Sequence, residues 1–197
     1  IDTAFVGKDR RSLFDVLVKN IKNGKITEVY ADDYFNIKKS IADMGSTFTY
    51  IDTIPAGFDE INNYYDDYKS GKKVLDPQYI NKTELGADFI AGYRIKGYWY
   101  FDKRQGEMKY RLLAICPVAP EAREIGKDNP DVIDLFWVYF PAARDVLHEA
   151  KAFNDKNSAM PITFDHLLNS RRFNGVIYKE ENVCGDREIQ QYMKDNS

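Results

Sequence analysis

Between residues 92 and 140, apolar and polar positions follow in short runs with the two-residue period of β-strands. Residues 92–101 are aromatic and β-branched, which suits a pleated, half-buried surface. A short polar turn, with Gly106 where a positive φ is needed, connects them to a second run at 108–118, so the pair is predicted to be a β-hairpin. A third run, 132–140, is apolar on both of its alternations. It is therefore predicted to be the central strand of an antiparallel sheet, covered on both faces.

Helical periodicity begins directly after the third strand. Pro141 suits the first turn of a helix, because its missing N–H leaves no helical hydrogen bond unmade. Apolar residues then recur three and four positions apart, which predicts a helix over residues 142–153 with one buried stripe. Thr163 is predicted to cap a second helix over residues 163–172. Both helices are expected to pack on the sheet.

The segments on either side carry weaker signals. A helix at 9–24, with Asp9 or Ser12 as its cap and Gly24 as its end, is the clearest of them. Residues 58–75 mix acidic and aromatic residues without a clean period. Further predicted elements are an extended segment at 25–30, a short helix at 37–44, strands at 47–54 and 176–178, and a terminal helix at 187–193.

Together these elements predict an α+β fold, with an antiparallel sheet built around a central hairpin and packed by helices. Residues 1–86 are expected to form a helical and irregular lobe. That lobe is expected to wrap on an α+β core of residues 87–197 as part of one structural unit.

Four segments, in the same order along the chain, resemble the GldN/PorN family. They are residues 95–102 (IKGYWYFD), 110–117 (YRLLAICP), 135–144 (LFWVYFPAAR) and 163–173 (TFDHLLNSRRF). The resemblance is close from residue 92 to residue 193 and loose before that. It implies a non-enzymatic, periplasmic ring subunit of the gliding-motility and type IX secretion machinery of Bacteroidetes.

The same resemblance implies particular partners. Subunits of this family bind a GldK/PorK-like outer-membrane lipoprotein, contact a GldM/PorM-like inner-membrane component and associate with one another in a ring. The expected location is therefore the periplasm, at the outer membrane, through the lipoprotein partner.

Composition narrows the function classes. The net charge is −3, so no overall field draws the chain to nucleic acid or to an anionic membrane surface. No window approaches the ~20 apolar residues of a spanning helix. The chain begins with Ile1 and not with Met, which is expected either after cleavage of a secretory signal or when an upstream segment is omitted. Fourteen tyrosines are unusual, and they fit either the rim of a sheet or a protein interface.

The two cysteines do not make a disulfide framework. Cys116 lies on the second strand among apolar residues and is predicted to be a buried, inert thiol. Cys184 lies in a turn-like stretch where the related family usually has an aromatic residue. A Cys116–Cys184 bond is therefore not expected, although the sequence leaves it open.

Candidate catalytic chemistry is sparse. His148 is predicted to be a solvated histidine of its helix, and His166 to be part of the first turn of the next one. No nucleophile elbow, Walker loop or dinucleotide fingerprint is present. Adjacent acidic residues such as Asp66 and Asp67 point apart, so they are read as solvated surface. The chain is predicted not to be an enzyme, with no cofactor and no metal.

The hairpin carries the sharpest candidate site. On one of its faces, basic residues are interleaved with tyrosines, a pattern that single-stranded nucleic-acid platforms also use. The acidic overall charge favours a protein partner with an acidic face. A second alternative is a sugar or small-ligand pocket lined by Tyr98, Trp99 and Tyr139. The residues predicted to contact a protein partner are Arg94, Lys96, Tyr98, Tyr100, Arg104, Arg171 and Arg172.

Overall fold

The computed structural model describes residues 11–125, 130–152, 160, 162–183 and 185–192. The helices are α1 (Leu13–Lys22), α2 (Ile41–Phe48), α3 (Pro55–Asn63), α4 (Tyr65–Lys69), α5 (Phe140–Glu149), α6 (Phe164–Asn169) and α7 (Ile189–Tyr192). The strands are β1 (Val29–Tyr30), β2 (Thr49–Thr53), β3 (Ile80–Glu84), β4 (Gly92–Asp102), β5 (Glu107–Pro120), β6 (Val132–Asp134), β7 (Trp137–Tyr139), β8 (Lys151–Ala152) and β9 (Ile162–Thr163).

The main sheet is antiparallel and has the order β1-β7-β5-β4, with β6 also paired to β5. This confirms the predicted α+β class and the predicted hairpin, which is β4 and β5. The third predicted strand is wrong as a single strand, because it breaks at Leu135 and Phe136 into β6 and β7. Its central position holds for β7, which lies between β1 and β5.

A bulge in the hairpin decides which side chains share a face. The register shifts at Lys96 and Gly97, which pair with Ala114 and Leu112, so Leu113 is an extra residue on β5. The face with Ile95 and Leu112 is called the helix face below. The opposite face, called the loop face, carries Arg94, Lys96, Tyr98 and Tyr100 on β4 and Arg111, Ala114 and Cys116 on β5.

The helix face holds the main hydrophobic core. Leu17 of α1, Leu147 of α5 and Phe136 are all fully buried there. Ser12 caps α1 by accepting a hydrogen bond from Asp15 N, and Gly24 (φ +72°) follows its end, as predicted. The predicted start at Asp9 lies outside the described residues.

The two helices of the C-terminal half are shorter than predicted. Helix α5 ends at Glu149, and β8 then pairs with β9, so the predicted continuation beyond residue 149 is wrong. Phe153 lies outside the described residues. Thr163 caps α6 as predicted, by accepting from His166 N at 3.2 Å. Helix α6 ends at Asn169, so Arg171, at φ +52°, follows the helix instead of closing it.

The loop face is covered by non-helical chain. Tyr30 and Phe35 pack on a small cluster of Ala114, Cys116 and Trp137. Cys116 is a free, fully buried thiol, as predicted, and burial raises its pKa to about 12. Cys184 lies outside the described residues.

The N-terminal elements differ from the prediction in their bounds. A capping box of Ser40 and Asp43 begins α2, which runs to Phe48, so the helix end predicted at residue 44 is wrong. Strand β2 begins at Thr49 and pairs with β3 in a separate two-stranded sheet. Residues 58–75, which the pattern left unassigned, lie mainly in α3 and α4. The division of the chain at residue 86 stays a prediction.

The last described segment is mostly irregular. The strand predicted at 176–178 is not formed, and Val176 and Ile177 are exposed. A single bridge joins Lys179 to Glu188 before α7. Helix α7 lies within the predicted terminal helix, of which residue 193 lies outside the described residues.

Candidate interaction surface

The hairpin extends beyond the rest of the sheet. Strand β7 pairs with β5 only at Ala114 and Ile115, and β6 pairs only with residues 118–120. Residues 97–112, called the distal hairpin below, therefore form a two-stranded ribbon in which each strand pairs only with the other within the described part of the chain. A ribbon outside the layered core leaves large side chains exposed on both of its faces.

The base of the distal hairpin depends on a glycine. A Cβ at Gly97 would overlap the phenol end of Tyr110 and would come within 2.7 Å of Arg111 O. The Tyr110 ring therefore lies over the glycine backbone and also packs on Trp99, with ring centroids 5.3 Å apart. Partial burial of this ring raises the Tyr110 pKa. This close approach fixes the position of the Trp99 side chain.

The helix face of the distal hairpin is apolar and exposed. Trp99, Phe101 and Met108 are 52%, 57% and 59% exposed, and Phe101 lies directly opposite Met108. The Arg171 guanidinium stacks over Trp99 at 5.1 Å and near Tyr110 at 5.9 Å. Such contacts between a cation and an aromatic ring contribute about 0.5–1 kcal/mol at exposed sites. This contact with Arg171 helps to hold the Trp99 ring in its position on the hairpin.

The loop face of the distal hairpin combines tyrosines with cations. The rings of Tyr98 and Tyr100 are 5.9 Å apart. A hydrogen bond to the Tyr98 hydroxyl raises the pKa of Arg111. Lys109 Nζ donates to Asp102 Oδ2 at 2.9 Å, and this bond holds the Asp102 pKa below its usual value.

The hairpin is basic although the chain is acidic. Residues 92–111 contain six basic and two acidic residues, a local net charge of +4 in a chain of net charge −3. The rest of the chain therefore carries −7. Lys103 and Arg104, both exposed, stand in the turn at the tip. A positive projection on a negative protein favours an acidic partner and repels a second hairpin of the same kind.

Two of the predicted contact residues bind within the chain. Arg94 Nη1 donates to Asp134 Oδ1 at 2.7 Å, and its guanidinium lies 4.9 Å from the Tyr178 ring. Lys96 Nζ donates to Asp33 at 2.7 Å (O) and 3.2 Å (Oδ2). These contacts hold the chain that covers the loop face, so both side chains are only partly accessible.

The other predicted residues are placed as follows. Tyr98, Tyr100 and Arg104 are exposed on the distal hairpin, and Arg171 supports Trp99. Arg172 is exposed after α6. The distal hairpin thus brings together three of the seven residues, with Arg171 at its base. Their role in binding stays a prediction.

The predicted aromatic pocket is not formed by its three residues. Tyr98 and Trp99 are consecutive in a strand, so their rings lie on opposite faces. Tyr139 packs instead against Phe35, with ring centroids 5.6 Å apart. Two cavities of 270 and 350 Å³, both on the α1 side of the protein, have none of these residues in their lining.

The histidines lie around a structural ion pair. Asp165, buried in α6, accepts from Arg144 Nε at 2.9 Å and from Asn169 Nδ2 at 2.8 Å. The bond from Arg144 is the largest cause of the lowered Asp165 pKa. His148 Nδ1 is 4.0 Å from Asp165 and its side chain is mostly exposed, while His166 contributes its N–H to the Thr163 cap. Among the described residues, no group of three His, Cys, Asp or Glu side chains could hold a metal ion.

Comparison with known families places the chain in one of them. The family model described as "Gliding motility associated protein GldN" matches residues 3–197. The chain belongs to the GldN family. This confirms the resemblance found in the four sequence segments, and extends it over residues that showed only a loose likeness. A search of individually characterised proteins gave no match.

Because it belongs to the GldN family, the chain is a component of gliding motility. That family is a structural one and is not a known enzyme family. Within the described ranges, every helix of this GldN-family chain is too short or too polar to cross a membrane.

The apolar helix face of the distal hairpin was missed by the pattern, which predicted residues 93–101 to be half covered. The run lengths do not show it, because the predicted hairpin runs of 10 and 11 residues are scarcely longer than the third run of nine. The hairpin extends past its neighbours because the third run breaks into β6 and β7, and β7 pairs with β5 only at Ala114 and Ile115.

Proposed function

We propose that this chain is a non-enzymatic structural subunit of a periplasmic ring complex that serves type IX secretion and gliding motility. Its partners in this proposal are a GldK/PorK-like outer-membrane lipoprotein, a GldM/PorM-like inner-membrane component and further copies of the chain. Family membership supports the proposal at the level of gliding motility. The location at the outer membrane follows from the lipoprotein contact.

The observation that carries the proposal is the distal hairpin. It exposes Trp99, Phe101 and Met108, and it carries positive charge on an acidic protein. Exposed aromatic residues next to arginine are enriched at protein interfaces, and they are the residue types that contribute most to binding energy. A ring also needs two different contact patches on each subunit, since head-to-tail contacts join unlike surfaces.

Isolation of the tagged, full-length chain from the cell envelope of its own bacterium tests the proposal. We expect a lipoprotein in stoichiometric amount and a particle much larger than the 22.8 kDa chain. Recovery of the chain as a monomer from a freshly solubilised envelope would contradict it. A tagged, unrelated periplasmic protein of similar charge is the control for adventitious capture.

A further inference from the structure

The outer edge of β4 is open along part of its length. Strand β4 is the last strand of the main sheet, and no other strand in the described part of the chain pairs with its outer side. The opposite edge is different, because Ala31 N donates to Ile37 O at 2.8 Å and Lys39 N to Val29 O at 2.9 Å. Residues 37–39 therefore cover β1, whereas backbone groups of β4 point outward without a strand partner.

The connection after α6 limits the open part to the distal hairpin. Arg171 stacks on Trp99 at the helix face, and Tyr178 lies against Arg94 at the loop face. Seven residue steps span at most about 25 Å, whereas a route over the hairpin tip would need about 40 Å. Residues 172–177 therefore pass around an edge of the hairpin, and the shortest path runs beside β4, since Trp99 and Arg94 both lie on that strand. The open edge is the remaining stretch, residues 98–102.

Four of the five residues in this stretch lack the features that protect natural sheet edges, and the exception is Asp102, which is paired with Lys109. Tyr98, Trp99, Tyr100 and Phe101 follow one another with no charge, no proline and no bulge, and all four are exposed. Edges are normally protected by such features because unpaired backbone groups recruit further strands. An unprotected aromatic edge is typical of a strand that receives a partner strand.

We propose that residues 98–102 of β4 bind an extended segment of an acidic partner protein, which adds to the main sheet as one more antiparallel or parallel strand. This inference rests on the proposed function, since it says how the subunit holds a neighbour. Backbone hydrogen bonds to β4 provide affinity in such complexes, and alternate side chains of the incoming strand provide specificity. The partner strand lies against Trp99 and Phe101 on one face and against Tyr98 and Tyr100 on the other.

The two faces define the chemistry of that strand. Beside Trp99 and Phe101 it presents apolar side chains, because these rings are more than half exposed and no basic residue of β4 or β5 shares their face beyond Gly97. Beside Tyr98 and Tyr100 it presents acidic side chains, since Arg111 shares that face and Lys103 and Arg104 close the tip, while Lys109 is already paired with Asp102. The segment therefore alternates apolar and acidic residues. A second copy of β4 is disfavoured, because two hairpins of charge +4 would be brought together.

The test uses the full chain and a blocked peptide of about nine residues in which valine alternates with glutamate, enough to cover the edge and its flanks. We expect saturable binding and slowed hydrogen exchange at every second backbone amide of residues 98–102, because only alternate amides of an edge strand point outward. The same peptide with lysine in place of glutamate should bind at least about tenfold more weakly. Absence of saturable binding, or binding that slows no β4 amide, would overturn the proposal.

Two matched variants separate strand addition from docking on a face. Phe101 and Met108 face each other across the hairpin with nearly equal exposure, but Phe101 lies on the aromatic edge of β4 and Met108 on the free edge of β5, which carries the charged Glu107, Lys109 and Arg111. Phe101→Lys should weaken binding of the glutamate peptide by at least about tenfold, whereas Met108→Lys should weaken it by less than about threefold. Equal losses in the two variants would show face docking and overturn strand addition. Circular dichroism and unfolding curves establish that both variants are folded.

The outcomes separate this inference from the proposed function. The peptide experiment needs no assembly, so it can fail while the full chain still captures its lipoprotein from the envelope. Conversely, strand addition would stand if the peptide binds as expected but the captured partner is not a lipoprotein. Dimerisation of the chain alone, detected by sedimentation and abolished by Phe101→Lys, would assign the edge to a second copy and overturn the acidic-partner proposal.

Discussion

Gly97 shows how one residue shapes the projecting hairpin. Only a hydrogen atom fits under the Tyr110 ring at this position, and the ring in turn carries Trp99 and the Arg171 guanidinium. Packing in protein interiors leaves little room for an added methyl group, so close approaches of this kind are intolerant of substitution. The packing of Tyr110 on Gly97 therefore holds the exposed aromatic residues of the distal hairpin in place.

Gly97→Ala should destabilise the protein by about 1–3 kcal/mol, because the new methyl group overlaps the Tyr110 ring. Gly92→Ala is the matched control in the same strand, since a Cβ there meets nothing within 4 Å. Urea unfolding of the two variants measures the difference. A cost at Gly97 no larger than that at Gly92 would show that Tyr110 does not rest on the glycine.

Asp165 is the second residue whose environment decides a measurable property. Its folded-state pKa is lowered, first by the hydrogen bond from Arg144. A lowered folded pKa means that stabilisation is present above the unfolded value, about 3.9, and is lost as the pH falls through the folded value.

Asp165→Asn should lower the free energy of unfolding at pH 7 by about 1–2 kcal/mol, through loss of the charge-assisted hydrogen bond. The deficit relative to the unmodified chain should shrink below about pH 4. Urea unfolding at pH 7 and at pH 3 gives both values. Asp145→Asn, at an exposed position of α5, is the control, and a pH-independent deficit would contradict the account.

At the scale of elements, the sequence predicted those that are specified locally. Helix α1, the hairpin and the Thr163 cap follow from periodicity and from single capping or turn residues. The helix and strand ends that were predicted wrongly depend on contacts with residues distant in the sequence. Helix α5 ends early because β8 pairs with β9, and the third strand breaks where Leu135 and Phe136 turn into the core. No local pattern contains these contacts.

The candidate site was predictable to the same extent. The alternation of β4 placed Arg94, Lys96, Tyr98 and Tyr100 on one face correctly. It did not show that Arg94 binds Asp134, 40 positions away, or that Lys96 binds Asp33, 63 positions away. The bulge at Leu113 also separates Leu112 from Cys116, although simple alternation put them on one face.

The segment that covers the loop face gives a prediction at this scale. Asp33 binds both Lys96 and Lys179, and Lys179 belongs to the covering chain. Asp33→Ala should therefore expose residues 178–188 and speed tryptic cleavage at Lys179 by severalfold, with little loss of global stability. Asp52→Ala, an exposed position in β2, is the control. Unchanged cleavage would show that Asp33 does not hold this segment.

At the scale of the whole molecule, the uneven distribution of charge matters most. A hairpin of +4 on a chain whose remaining residues carry −7 creates a field that orients an acidic partner before contact. Salt weakens such a field over about 8–10 Å at physiological ionic strength. Partner capture through the hairpin should therefore depend on salt.

Lys103→Glu should slow association with the captured partner by about tenfold at low salt and by much less at high salt, because the change acts on the field at the hairpin tip. Lys72→Glu makes the same charge change at another exposed turn and should have little effect. Surface plasmon resonance at two salt concentrations measures both. Equal effects of the two variants would assign the response to net charge and not to the hairpin.

The central claim is that this GldN-family chain works by holding neighbouring proteins. Its most direct test is the mass and composition of the particle that contains the tagged chain when the cell envelope is gently solubilised. The account predicts a large assembly with a stoichiometric lipoprotein, which breaks down when Phe101 is replaced by lysine. A chain that is recovered alone, at its monomer mass of 22.8 kDa, would contradict it.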